Sequence, residues 1–279
     1  MRIIDVDEIR NAVEEAFIEA NTELPSDVYD AIKKALSTEV SPYGREVLNE
    51  LIENAEYAKE MRIPICQDTG VAVIFLEIGQ DVHITGGVLS EAIDEGVRRA
   101  YKNGYLRKSL CHPFSRENTG DNTPAICHTE IVAGEQIRLI VIPKGGGSEN
   151  CSEARMLLPY DGKAGIKRFV LGLVRRAGPN PCPPNTVGIG IGGNLEQSAL
   201  LAKKALIEPL GSRNKDGEMA ELEMEILEEI NKTGIGPQGY GGKVTCLDVH
   251  IKEMPCHIAS LPVAVNIQCY AHRIKERVI

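Results

Sequence analysis

Residues 71–78 have the sequence VAVIFLEI, a β-branched and aromatic run that predicts a β-strand. Upstream of Pro64 the apolar residues recur instead at helical spacing, in segments separated by short breaks rich in Pro, Ser and Thr. This change of period predicts a helical N-terminal lobe, about residues 1–62, followed by a body that contains strands. Asp5, with Glu8 three positions later, has the pattern of a capping box and predicts the start of the first helix.

Helices and strands are predicted to interleave in the rest of the chain. The predicted helices cover 88–103, 162–177, 195–207 and 216–232. The predicted strands cover 125–132, 136–142, 186–193, 243–252 and 261–269, and the first two are predicted to form a hairpin around Gly134. No internal repeat, low-complexity linker or charge block divides the chain. The sequence therefore predicts an α+β (mixed α/β) fold in a single domain, residues 1–279.

The composition excludes several classes of protein. A hydrophobic fraction of 43% over 279 residues is enough for a sizeable core and excludes wholesale disorder. The formal net charge of −9 argues against a general nucleic-acid binder, which needs a basic surface. No apolar run is long enough for a membrane span, and the acidic start MRIIDVDEIR does not resemble a signal peptide. We therefore expect a cytoplasmic protein that binds neither nucleic acid nor membrane.

Eight cysteines are the most informative part of the composition. In a reducing compartment they do not indicate four disulfides, and the lack of any CxxC pair excludes zinc ribbons and thioredoxin motifs. A lone cysteine is usually a small buried apolar residue. Cys127 and Cys246 lie within predicted strands, so we expect them in the core. Three further cysteines, which have no strong local signal, are Cys111, Cys151 and Cys256.

The remaining three cysteines lie at the boundaries of predicted elements, where side chains can converge on a site. Cys66 follows Pro64, Cys182 lies in NPCPPNT between prolines, and Cys269 ends a predicted strand. Proline fixes the backbone φ angle, so a cysteine beside it is held in a rigid loop. Three thiolates suit a [4Fe–4S] cluster in which one iron is not ligated by cysteine, and that iron is free to act as a Lewis acid.

Five motifs in order along the chain resemble the alpha-type catalytic region of the class I fumarate hydratases and the related L-tartrate dehydratases. They are PICQDTG (64–70), KGGGSEN (144–150), CPPNTVGIGIGG (182–193), QGYGGK (238–243) and PCHIASLPVAVNIQC (255–269). The resemblance implies a single iron–sulfur hydro-lyase domain folded around a central cluster site. It also implies that Cys66, Cys182 and Cys269 hold an oxygen-sensitive [4Fe–4S] cluster.

The resemblance also assigns roles to other side chains. It implies that Gln67 and Asp68 contact the substrate, that Arg107 binds a substrate carboxylate, and that Gly146 makes a backbone contact to the substrate. Asp68 and His257 are the expected catalytic residues, for proton transfer or for orienting the substrate.

Simpler structural roles remain open for the same residues. Asp68 fits an Asx turn in DTG, and Arg107 a solvated arginine at a helix end. Glycines 145–147 fit a flexible turn, and His257 a structural histidine. The polar stretch ENTGDNTP (117–124) also resembles a family segment, but its residues indicate no chemistry.

The expected reaction is the reversible hydration of fumarate to (S)-malate, a step of the tricarboxylic acid cycle. L-tartrate dehydration is the alternative within the family. A non-catalytic iron–sulfur carrier or sensor, or a zinc protein that uses the same cysteines, is the alternative from another class. The chain ends ten residues after Cys269, without the second catalytic region of the family. We therefore expect an alpha subunit that requires a separate beta subunit, as an α2β2 heterotetramer.

Overall fold

The computed structural model describes residues 1–279, and the α+β class is confirmed. In chain order the elements are β1 (Arg2–Asp5), α1 (Val6–Thr22), α2 (Ser26–Thr38), α3 (Pro42–Met61), β2 (Val71–Gly79), β3 (Val82–Thr85), α4 (Leu89–Asn103), β4 (Ile126–Val132), β5 (Ile137–Lys144), α5 (Gly146–Glu149), β6 (Glu153–Leu157), α6 (Gly162–Ala177), β7 (Asn185–Gly193), α7 (Leu195–Ala205), α8 (Gly217–Asn231), β8 (Cys246–Cys256), β9 (Leu261–Gln268) and β10 (Lys275–Val278). They form two compact units: the first unit contains residues 1–25, 54–146 and 273–279, and the second unit contains 26–53 and 147–272.

The VAVIFLEI run lies in β2, inside the four-stranded sheet of the first unit. The strand order is β10-β5-β2-β4, with β4 parallel to β2 and β5 antiparallel to it. The predicted hairpin of residues 125–132 and 136–142 is therefore wrong, because β4 and β5 flank β2 on opposite sides. The chain between them bonds to the end of β2: Asp81 N donates to Gly134 O at 2.9 Å, and Gly79 N to Gln136 O at 2.8 Å.

Two helices cover the apolar face of this sheet. The capping box at the start of α1 is confirmed, because the Asp5 side chain accepts from Asp7 N at 2.9 Å while Glu8 accepts from Asp5 N. The predicted helix 88–103 is confirmed as α4. The two helices approach closely at Gly96, where a Cβ atom would lie 2.6 Å from the Arg10 carbonyl oxygen. Val13, Phe17 and Tyr101 join the strand residues in one buried core.

The second unit has its own four-stranded sheet, in the order β6-β9-β7-β8. The central strand β7 is parallel to β8 and antiparallel to β9. The alternating glycines of TVGIGIGG are explained by α7, because a Cβ atom at Gly188 or Gly190 would overlap a carbonyl oxygen of that helix. On the other face α6 and α8 enclose an apolar core with β7, β8 and β9. The predicted strands and helices of residues 162–269 are confirmed to within a few residues at their ends.

The helices predicted for the N-terminal portion form as α1, α2 and α3, preceded by the short strand β1. They are shared between the units: α1 belongs to the first unit, α2 to the second, and the unit boundary falls at Asn54 within α3. The single catalytic domain stays a prediction. None of the helices is long and apolar enough to cross a membrane.

Candidate active site

The loop that carries Cys66, here called the Cys66 loop (residues 65–70), is held by hydrogen bonds to its main chain. Ile65 N donates to Asn21 O at 2.8 Å, and the Asn54 amide donates to Ile65 O at 2.9 Å. The Tyr101 hydroxyl lies 2.8 Å from the carbonyl oxygens of both Thr69 and Gly70. Burial keeps the pKa of this hydroxyl well above its usual value, so Tyr101 remains a protonated donor. The loop is therefore rigid before any ligand binds.

Asp68 is oriented through both of its carboxylate oxygens. Oδ1 accepts from Gly70 N at 3.0 Å, which confirms the Asx turn, and Oδ2 accepts from Gly146 N at 2.8 Å. Gly145 makes this approach possible, since a Cβ atom there would lie 3.1 Å from Oδ2. The structure thus joins the PICQDTG and KGGGSEN motifs at one carboxylate. Each oxygen keeps a further lone pair with which to accept a proton from a bound hydroxyl group.

Arg107 lies beside the same loop. Its carbonyl oxygen accepts from Thr69 Oγ1 at 2.9 Å, which fixes its backbone relative to Asp68. Its guanidinium group is exposed and forms no ion pair, so it is available to an anionic ligand. Gln67 is also exposed, on the Cys66 loop itself. The predicted residues Cys66, Gln67, Asp68, Arg107 and Gly146 therefore all belong to the first unit.

The polar stretch 117–124 has a structural role that its sequence does not reveal. Asn122 is fully buried, and its side-chain amide donates to Gly70 O at 3.2 Å. Its Oδ1 accepts from Ser109 N at 2.7 Å and Leu110 N at 3.1 Å. Asn122 thus connects the Cys66 loop to the segment that follows Arg107. The only signal in the sequence is the turn-rich composition, which suits the positive φ of 63° at this asparagine.

The second unit brings together three of the five motifs. Tyr270 N donates to Cys182 O at 3.1 Å, so the end of β9 that carries Cys269 lies against the NPCPPNT loop. The backbone N and side-chain Nε2 of Gln238 both donate to Pro183 O, each at 2.7 Å. Cys182 itself has a φ of 52°, a conformation that non-glycine residues seldom adopt. These contacts hold two of the predicted ligands in neighbouring segments.

Glu39, which the sequence analysis missed, anchors the QGYGGK stretch. Its carboxylate is buried and accepts from the backbone N–H groups of Lys243 and Val244, as well as from Val40 and Ser41. Burial opposes its ionisation, but these N–H groups outweigh burial and hold the pKa of its carboxyl below the usual value. A lone glutamate between two helices gives no sequence signal for this role.

His257 lies in the connection between β8 and β9 of the second unit and is exposed. Its Nδ1 accepts from Ala259 N at 3.1 Å, so the neutral ring carries its proton on Nε2. Its carbonyl oxygen accepts from Ser260 N at 2.9 Å, which closes the turn. The ring therefore presents Nε2 as the free donor.

The eight cysteines differ in their exposure. None of the eight forms a disulfide. The core position of Cys246 is confirmed, and burial raises the pKa of its thiol. The core prediction for Cys127 is wrong, because β4 is an edge strand and this thiol is exposed. Neither unit alone contains a group of three or more His, Cys, Asp or Glu side chains that could hold a metal ion.

Arg273 is a second residue that the sequence analysis missed. It is 1% exposed, and its Nη1 donates to Asp68 O at 2.8 Å and to Asn21 Oδ1 at 2.9 Å. Arginines are mostly exposed, so nothing in the segment AHRIKERVI distinguishes this one from its basic neighbours. The first unit thus places a buried cation beside the Asp68 main chain.

Comparison with known proteins identifies relatives over almost the whole chain. A family model described as "Fumarate hydratase (Fumerase)" matches residues 10–278. A Methanocaldococcus jannaschii protein named "Putative L(+)-tartrate dehydratase subunit alpha" is 45% identical over 271 residues, which are 95% of either chain. The "L(+)-tartrate dehydratase subunit alpha" of Escherichia coli strain K12 is 33% identical over 260 residues, which cover 91% of this chain and 84% of the relative.

Proposed function

Because the chain belongs to the fumarate hydratase family, we propose that it is the alpha subunit of an iron–sulfur hydro-lyase that dehydrates L(+)-tartrate. Two relatives that align along most of their length, at 45% and 33% identity, have names that specify this substrate. Fumarate hydration, the reaction expected from the sequence alone, becomes the second candidate on the strength of the family description. In the tartrate reaction the C2 hydroxyl group and the C3 proton leave as water, and the resulting enol tautomerises to oxaloacetate.

The proposed cofactor is a [4Fe–4S] cluster held by Cys66, Cys182 and Cys269. The donor set fits this group, because thiolates are the usual ligands of iron–sulfur clusters and these three cysteines form no disulfide, are exposed or half-buried, and lie in loops or at a strand end. The strained backbone of Cys182 suits a functional position. When bound, the cluster supplies Lewis-acid chemistry for the departing hydroxyl group through the iron that no cysteine ligates.

The residues of the first unit suit a dicarboxylate substrate. Burial of a dianion requires positive charge and N–H donors, and Arg107 can bind one carboxylate through two parallel hydrogen bonds. The Gln67 amide provides a further donor from the same loop. Both groups are exposed while the backbone around them is fixed, so little reorganisation accompanies binding.

Asp68 is proposed to bind and orient a substrate hydroxyl group through the free lone pairs of its carboxylate. Its hydrogen bonds from Gly70 N and Gly146 N leave the side chain with one orientation. The Gly146 contact carries this assignment, because it joins two family motifs at one reactive group. His257 is proposed to donate from Nε2 to the substrate, since its Nδ1 is already occupied by Ala259 N.

A separate beta subunit is proposed as the partner, in an α2β2 heterotetramer, because the relatives are named as alpha subunits. The family resemblance implies that this partner contributes further carboxylate-binding basic residues and a threonine for proton transfer. The chain alone is then expected to bind the cluster and to turn over negligibly. Full activity of the purified chain without any partner would contradict this assignment.

The test is an anaerobic assay of the chain co-expressed with its beta partner. The kcat/KM for L-tartrate is expected to exceed that for fumarate and malate by at least about 10-fold, because a site built for a second hydroxyl group rejects the analogue that lacks it. The D68N variant is expected to lose activity and to retain the cluster. D81N, which changes an exposed aspartate of the same unit, is the matched control. A preference for fumarate would establish the second candidate instead.

A further inference from the structure

Arg273 combines deep burial with the lack of a carboxylate partner. None of its nitrogen atoms forms an ion pair, and its buried Nε has no hydrogen-bond partner. The two bonds from Nη1 end on uncharged oxygen atoms, Asp68 O and Asn21 Oδ1. A buried cation without a counter-charge is unfavourable. Negative charge nearby would favour this position, and the Asp68 carboxylate, which borders the same space beside Gly145, is one such charge.

Asn21 extends this contact to the start of the Cys66 loop. The residue is fully buried near the end of α1, and its side-chain amide donates to Phe17 O at 2.9 Å. Its own carbonyl oxygen accepts from Ile65 N, while its Oδ1 accepts from Arg273. Arg273 and Asn21 together bind the backbone of the loop at Ile65 and at Asp68, on either side of Cys66.

The glycine at position 145 leaves space beside Arg273. An ideal Cβ atom at Gly145 would lie 3.6 Å from Arg273 Nη2 and 3.1 Å from Asp68 Oδ2. A Cβ atom there would therefore crowd the Asp68 carboxylate and come into van der Waals contact with the Arg273 guanidinium. The guanidinium and the carboxylate share one small region that the KGGGSEN motif keeps open.

We propose that Arg273 is a positioning residue of the active site. It fixes the Cys66 loop, and its buried positive charge offsets the negative charge of the groups that lie at this loop. The inference rests on the proposed function, which places a Cys66 thiolate, the Asp68 carboxylate and a dianionic substrate at this loop. The hydrogen bonds from Arg273 to Asp68 O and Asn21 Oδ1 support the positioning role. The lack of an ion pair at Arg273 supports the charge role. Arg107 then binds substrate from an exposed position, while Arg273 acts through the loop.

Four variants test the positioning role and the charge role of Arg273 separately. R273M removes the charge and the donors but keeps an unbranched apolar chain of similar length, while R273K keeps the charge and loses the planar fork. N21L removes the Asn21 side-chain contacts and leaves the arginine in place. R138M is the matched control, because Arg138 pairs with Glu276 on the same unit and contacts no site residue.

The first measurement is amide hydrogen exchange of residues 65–70 in the purified chain, which requires neither cluster nor partner. R273M is expected to speed exchange of these amides at least about 10-fold, because a hydrogen bond from a charged group contributes about 10- to 100-fold to such an equilibrium. N21L keeps the main-chain carbonyl that accepts from Ile65 N and removes only the Oδ1 that accepts from Arg273, so it is expected to speed exchange of the loop less than R273M does. R138M is expected to leave the loop unchanged. Unchanged exchange in R273M would overturn the positioning role.

The second measurement is the KM for L-tartrate in the anaerobic complex. R273M is expected to raise KM about 10- to 100-fold with a smaller effect on kcat, because the charge stabilises the bound dianion in ground and transition states alike. R273K is expected to restore KM to within a few-fold of the wild-type value, and a KM for R273K equal to that of R273M would overturn the charge role. If R273M does not fold, R273Q replaces it in both measurements and is judged by the same criteria. An inactive wild-type complex would refute the proposed function, whereas the exchange result would still decide the positioning role.

Discussion

Replacing Gly70 with alanine measures how tightly the Cys66 loop is built into the first unit. Gly70 has a φ of +76°, and a Cβ atom there would lie 2.7 Å from three backbone atoms of Lys144. The left-handed conformation costs a residue with a side chain about 1–2 kcal/mol. The clash is with backbone rather than with a flexible side chain, so overpacking adds about 1–3 kcal/mol. We expect G70A to lower the free energy of unfolding by about 2–5 kcal/mol.

The matched control is G120A, at a glycine of the stretch 117–124. Gly120 has a φ of +81°, but no atom lies within 4 Å of its ideal Cβ position. This variant therefore carries the conformational cost and not the clash. Urea unfolding of both variants, monitored by circular dichroism, is expected to show G70A less stable than G120A by about 1–3 kcal/mol. Iron content after anaerobic reconstitution should fall in G70A only. Equal stabilities would show that the loop does not press on Lys144, which would refute the rigid-loop explanation.

Three further predictions concern the cysteines, Glu39 and Gly190. Serine at any of the three ligand positions is expected to abolish cluster binding, measured by iron and sulfide analysis, whereas serine at the other five is not; a different set of three would refute the assignment. The ligands are Cys66, Cys182 and Cys269, and the others are Cys111, Cys127, Cys151, Cys246 and Cys256. E39Q is expected to be less stable than wild type at pH 7, because the folded protein holds the pKa of Glu39 below the ordinary 4.5. The extra stability of the wild type over E39Q is fully present above pH 4.5 and is lost as the pH falls through the lowered pKa of Glu39. The free energies of unfolding of the two proteins, measured from pH 7 to pH 3, should therefore converge. G190A is expected to destabilise the second unit by about 3 kcal/mol or more, because its Cβ would overlap the Ser198 carbonyl oxygen; a loss below about 1 kcal/mol would contradict the close packing of α7 on β7.

Local patterns predicted the elements of the fold well. The capping box at Asp5 and the apolar periodicity of α4, α6 and α8 depend on residues within one or two helical turns, so the sequence alone contains the information. β4 and β5 each pair with β2, whose residues lie more than about fifty positions earlier in the chain, so the hairpin was predicted wrongly. The exposure of Cys127 follows from the same edge position.

The site residues also divide into those that local motifs predict and those that depend on distant contacts. The PICQDTG and KGGGSEN motifs were recognised from short runs of sequence, and the structure joins them at Asp68 and Gly146. Arg273 and Glu39 were not found, because a single charged residue has no periodicity and is expected on the surface. Their roles arise from main-chain groups far away in sequence: Asp68 O lies 205 residues from Arg273, and Val244 N lies 205 residues from Glu39.

The central claim is that this chain holds a three-cysteine iron–sulfur cluster for hydro-lyase chemistry. Its most direct test is iron and acid-labile sulfide analysis of the purified chain after anaerobic reconstitution. We predict about four iron and four sulfide per chain, with substrate-dependent changes in the spectrum of the one iron that lacks a cysteine ligand. Stoichiometric zinc, or no bound metal in the wild-type chain, would contradict the account.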